Sequence, residues 1–145
     1  MAKFNPKQLQ YYLQALQDVL TKTQETADHV SPFFVKLDSA KQESAVADMP
    51  KADFAEVKAE FDDAVSVYQE NAKTLAALTV PVRFMGAHKT LAKAYQDYAD
   101  ATAMMADALI LDGQKVDDEK FAQSEADQET YLNKVQAQVA KIFGV

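Results

Sequence analysis

Residues 84–109, FMGAHKTLAKAYQDYADATAMMADAL, decide the fold. Large side chains fall at Phe84, His88, Leu91, Tyr95, Tyr98, Thr102, Met105 and Leu109, in alternating steps of four and three. That seven-residue repeat is the pattern of a helix lying in a bundle seam. Alanine columns flank it, Ala87, Ala94, Ala101 and Ala108 on one side and Ala92, Ala99 and Ala106 on the other. Alanine on both shoulders lets a neighbouring backbone come close on each side, so this helix is expected to pack between two others. Gly86, Lys93, Asp100 and Asp107 mark its outward position.

Working towards the N-terminus, a second helix carries Phe54, Val57, Phe61, Ala64, Val65, Tyr68, Ala72, Leu75 and Leu78. Asp48-Met49-Pro50-Lys51 forms a turn before it, and Thr79-Val80-Pro81-Val82 ends it. The first helix starts where Asn5 caps and Pro6 takes the first helical position, at which a missing N–H costs nothing. Its seam runs Leu9, Leu13, Leu16, Leu20, Thr23, Ala27, Val30, Phe34, Leu37. Pro32 falls inside that pattern and implies either a kink or a break with Ser31 as a new cap. The seam keeps its phase across Pro32, which favours the kink and a helix running to about residue 46.

Towards the C-terminus, Asp112-Gly113 is expected to close the third helix, with Gly113 in the left-handed position. Asp117 or Asp118 caps the fourth, whose seam is Phe121, Glu125, Gln128, Leu132, Val135, Val139, Ile142. The expected fold is all-α: an up-down-up-down four-helix bundle, one domain over residues 1–145, with a long first helix kinked or broken near Pro32.

Composition agrees. With 48% hydrophobic and 26% charged residues the chain is globular rather than disordered. Three glycines and four prolines are too few for the turns of an all-β fold. No cysteine is present, which excludes disulfides, thiolate metal sites and cysteine nucleophiles. The net charge is −7, and no segment is basic; residues 47–79 alone hold three bases and seven acids. A phosphate backbone therefore has no footprint here. Met1 to Pro6 contains no apolar run of signal-peptide length, and no window reaches the ~20 apolar residues of a membrane span. The expectation is a cytoplasmic protein, with a leader removed upstream left open.

Chemistry finds little support. His88 is a weak candidate metal or haem ligand, but no Glu-x-x-His pair accompanies it, as a di-iron bundle requires. The plainer expectation is a half-buried histidine bonded to a tyrosine or a carbonyl. His29, with Glu25 one turn back, reads as a surface pair. Neither Glu60/Asp62/Asp63 nor Asp117/Asp118/Glu119 has calcium-loop spacing. No Gly-x-Ser-x-Gly elbow or phosphate-cradling loop occurs. No cofactor is expected. Asn71 and Thr102, polar at seam positions, would fix register or line a small polar pocket.

One end of the bundle collects Phe33, Phe34, Leu37, Phe54, Val57 and Phe121, and residues 103–111 are apolar nearly all round. A helix apolar on every face must be covered. The far part of helix one supplies a cover, making these residues core. Alternatively Met104, Ile110, Leu111 and Phe33 form a patch for a partner helix or a second copy. Three functions follow. The first is a non-enzymatic bundle acting through protein interaction or self-association. The second is a bundle binding a small apolar molecule in a cavity bordered by Tyr95, Tyr98 and Met105. The third, least supported, is a metal site at His88. The chain broadly resembles the small helical bundles common in bacteria, without a motif that narrows the resemblance.

Overall fold

A computed structural model describes residues 5–144; residues 1–4, part of the stretch read for a leader, and 145 lie outside the described residues. Four helices make up nearly all of it: α1 (Pro6–Gln42), α2 (Lys51–Ala77), α3 (Met85–Ala108) and α4 (Asp118–Phe143). Between α3 and α4 sits a two-residue antiparallel ribbon, β1 (Leu109–Ile110) with β2 (Lys115–Val116). The all-α bundle expected from the seams is the fold observed.

Caps set the helix ends. The Asn5 side chain accepts from the Lys7 and Gln8 amides at 3.0 and 3.2 Å, with Pro6 opening α1. The Asp117 side chain accepts from the Lys120 amide at 3.1 Å and starts α4. Gly144, with φ +76°, closes it.

Two boundaries correct the sequence expectation. Helix α1 passes through Pro32 without interruption, so there is no break and Ser31 does not cap a new helix. Proline removes the N–H that would have bonded the Asp28 carbonyl, but Pro32 lies on the exposed face, where water can serve that carbonyl. The helix then stops at Gln42, not near residue 46. Ser44 turns left-handed at φ +54°, and the amides of Ser44 and Ala45 bond back to the carbonyls of Lys41 (3.1 Å) and Ala40 (2.8 Å). Those two bonds are a Schellman stop, built here without glycine.

The second correction is at the end of α3. The helix ends at Ala108 rather than at Asp112-Gly113, and Leu109 and Ile110 are extended. Gly113 is left-handed as expected, at φ +84°, but it serves the ribbon's turn together with Gln114 at φ +48°. The Gln114 side-chain amide then donates to the Val46 and Met49 carbonyls at 2.9 and 2.7 Å, tying the ribbon to the α1–α2 connection.

Helix α3 packs against both α2 and α4, as its alanine shoulders require, and its approach to α4 is the most extensive in the molecule. Ala94, Ala99, Ala101, Ala106 and Ala108 of α3 are buried, and the buried Ser124 of α4 donates to the Ala101 carbonyl across the seam. Polar pairs run in opposing order between α1 and α2, His29 hydrogen-bonded to Glu60 (2.9 Å) and Lys36 ion-paired with Asp53 (3.1 Å). His29 thus pairs across to α2 and not with Glu25 on its own helix, because the antiparallel neighbour presents a carboxylate at the same level. By contrast α1 and α4 hardly approach each other.

The core divides into two clusters. One holds Tyr12, Leu16, Tyr68, Leu91, Tyr95, Tyr98 and Ile142; the other holds Leu37, Phe54, Val57, Phe61, Met105, Leu109 and Phe121. Near the second cluster's end, α1 and α4 are joined by Phe34 stacked on Phe121 at 6.0 Å, with the Lys41 ammonium over the Phe121 ring at 3.5 Å. Among the described residues no helix is long and apolar enough to cross a membrane.

Candidate functional site: a phenol-lined cleft between the first and fourth helices

Where the two clusters meet and α1 stands off from α4, the bundle leaves a cleft of about 330 Å³. That lies at the lower end of the roughly 300–1,000 Å³ usual for small-molecule sites. All four helices line it. Ala27, Val30, Ser31 and Phe34 come from α1, and Phe61, Ala64, Val65 and Tyr68 from α2. Tyr98, Thr102 and Met105 come from α3, and Glu125 and Gln128 from α4. The α2 and α3 residues, all but Val65 buried, form the floor, while Ser31 and Glu125 are exposed at opposite lips.

The seam pattern puts these side chains here. Phe61, Tyr68, Tyr98, Thr102 and Met105 are seam residues of α2 and α3 and must point to the bundle axis. On α4 the matching seam positions are Glu125 and Gln128, which do not bury themselves against α1. Gln128 donates to the Ser124 hydroxyl at 3.0 Å and reaches the Met105 sulfur at 3.7 Å. Polar residues on one wall hold open a space that leucine would have closed.

The floor is built from uncharged hydroxyls. Tyr68 and Tyr98 lie ring to ring with centroids 5.2 Å apart at 55°. Burial, and then the neighbouring Tyr98, pushes the Tyr68 hydroxyl far above the ordinary phenol range; burial alone pushes Tyr98 the same way. Both stay protonated at any ordinary pH, able to donate and to accept. The Thr102 hydroxyl donates to the Ala99 carbonyl at 2.7 Å.

Of the residues singled out in the sequence, Tyr98 and Met105 line the cleft and Tyr95 does not. The Tyr95 ring stands against Tyr98 at 6.0 Å, but its hydroxyl belongs to a separate buried chain. Thr23 donates to the Val19 carbonyl at 2.8 Å and therefore accepts from Tyr95 at 2.6 Å. Asn71 completes the chain by donating to Tyr95 at 3.0 Å. Asn71 and Thr102 are thus both buried but do not pair: one sits in this chain, the other in the cleft floor. Phe33 is half-buried beside His29, at 6.1 Å. Met104 and Ile110 are half-buried, and Leu111 is exposed on the ribbon's turn, off helix α3 altogether. The all-round apolar helix end is therefore not formed: Leu109 turns inward in β1 and is buried.

His88 is buried with both ring nitrogens engaged, Nδ1 to the Tyr12 hydroxyl at 2.8 Å and Nε2 to the Leu75 carbonyl at 2.8 Å. A carbonyl only accepts, so Nε2 carries a proton and, in the neutral ring, Nδ1 accepts from Tyr12. The Leu75 carbonyl lies in the last turn of α2, where it lacks an i+4 helical partner and otherwise accepts only from the Leu78 amide at 3.4 Å. His88 closes that helix end. Among the described residues no group of three or more His, Cys, Asp or Glu side chains is placed to hold a metal ion.

Phe61 was not among the candidate ligand residues; Tyr68 was legible as an inward seam tyrosine, and Glu125 and Gln128 as polar positions that leave the α4 seam underfilled. No family model matches the chain, and neither the curated proteins nor the solved structures contain a match.

Proposed function

We propose that this protein binds a small, largely apolar molecule in the cleft between α1 and α4 and performs no catalysis on it. The observation that supports this is a 330 Å³ space reaching the bundle floor, walled by Phe34, Phe61, Tyr68, Tyr98 and Met105. It sits in a fold whose buried side-chain nitrogen and oxygen atoms all have hydrogen-bond partners among the described residues. A cleft of that size takes more than one ring, since a cavity of roughly 150 Å³ holds benzene. Nothing lining it resembles a nucleophile with an adjacent base, which supports a binding role over an enzymatic one.

The interaction reading has a narrower basis, the exposed Leu111 with the half-buried Ile110 beside it. The cleft is the better supported of the two, because its lining converges from four elements.

The test is a thermal melt with a neutral naphthalene-type probe. Saturation at one hundred times Kd stabilises by about 2.7 kcal/mol, a rise of several degrees for a domain of this size. Ala64→Leu fills the floor, and the variant is expected to melt normally and lose the shift. An unchanged melting temperature of the native chain at probe saturation overturns the proposal.

A further inference from the structure

Building on that binding reading, we infer that the cleft selects organic monocations, an amine or ammonium on an apolar or aromatic body, over the corresponding carboxylic acids. Among its lining residues only one carries a formal charge, the Glu125 carboxylate at the α4 lip. Among the described residues, no lysine, arginine or histidine contributes to the lining. The half-buried cations near this end of the core are committed elsewhere. Lys41 lies over the Phe121 ring and beside Asp118 at 3.8 Å. Lys58 bonds Asp62 at 3.1 Å and the Ala106 carbonyl at 2.8 Å. A carboxylate entering the cleft would meet Glu125 with no counter-charge.

The floor leans the same way. Protonated phenols can donate to an anion, so their hydroxyls alone do not discriminate. Their ring faces do, because a cation is attracted to the negative face of an aromatic ring within about 6 Å. Phe34, Phe61, Tyr68 and Tyr98 supply four such rings in one cleft. The Glu125 side chain is exposed, so its pull is that of a partly solvated charge, severalfold in affinity rather than a thousandfold. The net charge of −7 acts in the same direction from a distance.

The experiment is calorimetric titration of the full chain with three probes sharing a naphthyl body: the methylamine, the methanol and the carboxylic acid. Two variants separate local from global charge. Glu125→Gln removes the lip carboxylate. Glu129→Gln removes the same charge one turn along α4, outside the lining. The amine is expected to bind about fivefold or more tighter than the acid. Glu125→Gln should lower that ratio about threefold, leaving the smaller preference of the ring faces and net charge and leaving the alcohol unchanged, and Glu129→Gln should preserve it. An acid that binds as well as the amine overturns the inference, as does a ratio insensitive to Glu125→Gln. In either case the alcohol still binds and the cleft reading stands. If none of the three binds, the cleft reading itself fails.

Discussion

His88 shows how much a single side chain can stabilise without doing chemistry. It joins α1 and α2 through α3, accepting from Tyr12 and donating to the Leu75 carbonyl. His88→Ala strands the buried Tyr12 hydroxyl, at about 1–3 kcal/mol for an unsatisfied group, and leaves the Leu75 carbonyl with only the Leu78 amide at 3.4 Å. A loss of roughly 1–3 kcal/mol is expected in urea unfolding, with probe binding at the cleft unaffected where the variant folds. Histidine on a seam is ambiguous in sequence because ligand and structural roles share one position. Only the two partners distinguish them, and both are remote in the chain. A second residue-scale effect concerns the tyrosines. Burial pushes the Tyr12 hydroxyl up to about 12 from an unfolded value of 10.0, and raises Tyr68, Tyr95 and Tyr98. The folded state therefore holds phenol protons that the unfolded chain releases first. Stability from these groups is complete below pH 10 and falls as pH rises through about 12. Denaturation midpoints measured across that window, together with tyrosinate absorbance, should show the fall. A flat profile would mean the phenols are not shielded as described.

At the scale of elements, seams and caps were legible and two stops were not. The α3 repeat marks a helix because its large side chains return every 3.5 residues over seven turns. Leu109, Ile110 and Leu111 form a run of three, too short for periodicity to separate helix from strand. The decision falls to a pairing partner, Lys115–Val116, beyond the turn. The stop at Ser44 was equally hidden, since serine is not the residue that a left-handed position prefers. That suggests a direct check. Ser44→Gly relieves a φ of +54° and should stabilise by about 0.5–1 kcal/mol, the cost of left-handed backbone being about 1–2 kcal/mol for an L-residue less the entropy that glycine adds to the unfolded chain. Pro32 works in the opposite sense. An interior proline costs a helix about 3 kcal/mol, and part of that is recovered at Pro32 by its exposed position. Pro32→Ala is expected to stabilise by about 1–2 kcal/mol in chemical denaturation. Ser31 and Phe34 lie beside Pro32 and line the cleft, so a change in the course of α1 at this position would be read out in probe binding.

For the whole molecule, what the sequence could not display is the spacing between elements that are not neighbours in the chain. Short connections bring α1 to α2, α2 to α3 and α3 to α4. The distance between α1 and α4 is what remains once those three contacts are made, and the small residues of α3 and α4 draw that pair together most closely. Alanine and Ser124 on the α3–α4 seam, and Glu125 with Gln128 on the seam facing α1, therefore act jointly. The first set pulls α4 towards α3, and the second keeps it from closing over α1. The cleft follows from that asymmetry rather than from any motif. Its Tyr98 and Met105 were legible as inward residues, while its Glu125 read only as an underfilled seam. The same geometry bears on assembly. With Leu109 buried and only Leu111 of the helix-three end standing in solvent at 56% exposure, the apolar area at the ribbon is a few residues wide. A stable interface needs roughly 800 Å² from each partner. The native chain is therefore expected to be a monomer by light scattering coupled to size exclusion, and Ile110→Glu and Leu111→Glu should leave its mass unchanged. Of the two, only Ile110→Glu, half-buried, should lower stability, by about 1–2 kcal/mol for the lost apolar contact. A native dimer that either substitution splits would move the function from the cleft to the ribbon, and the small-molecule reading would have to yield to self-association.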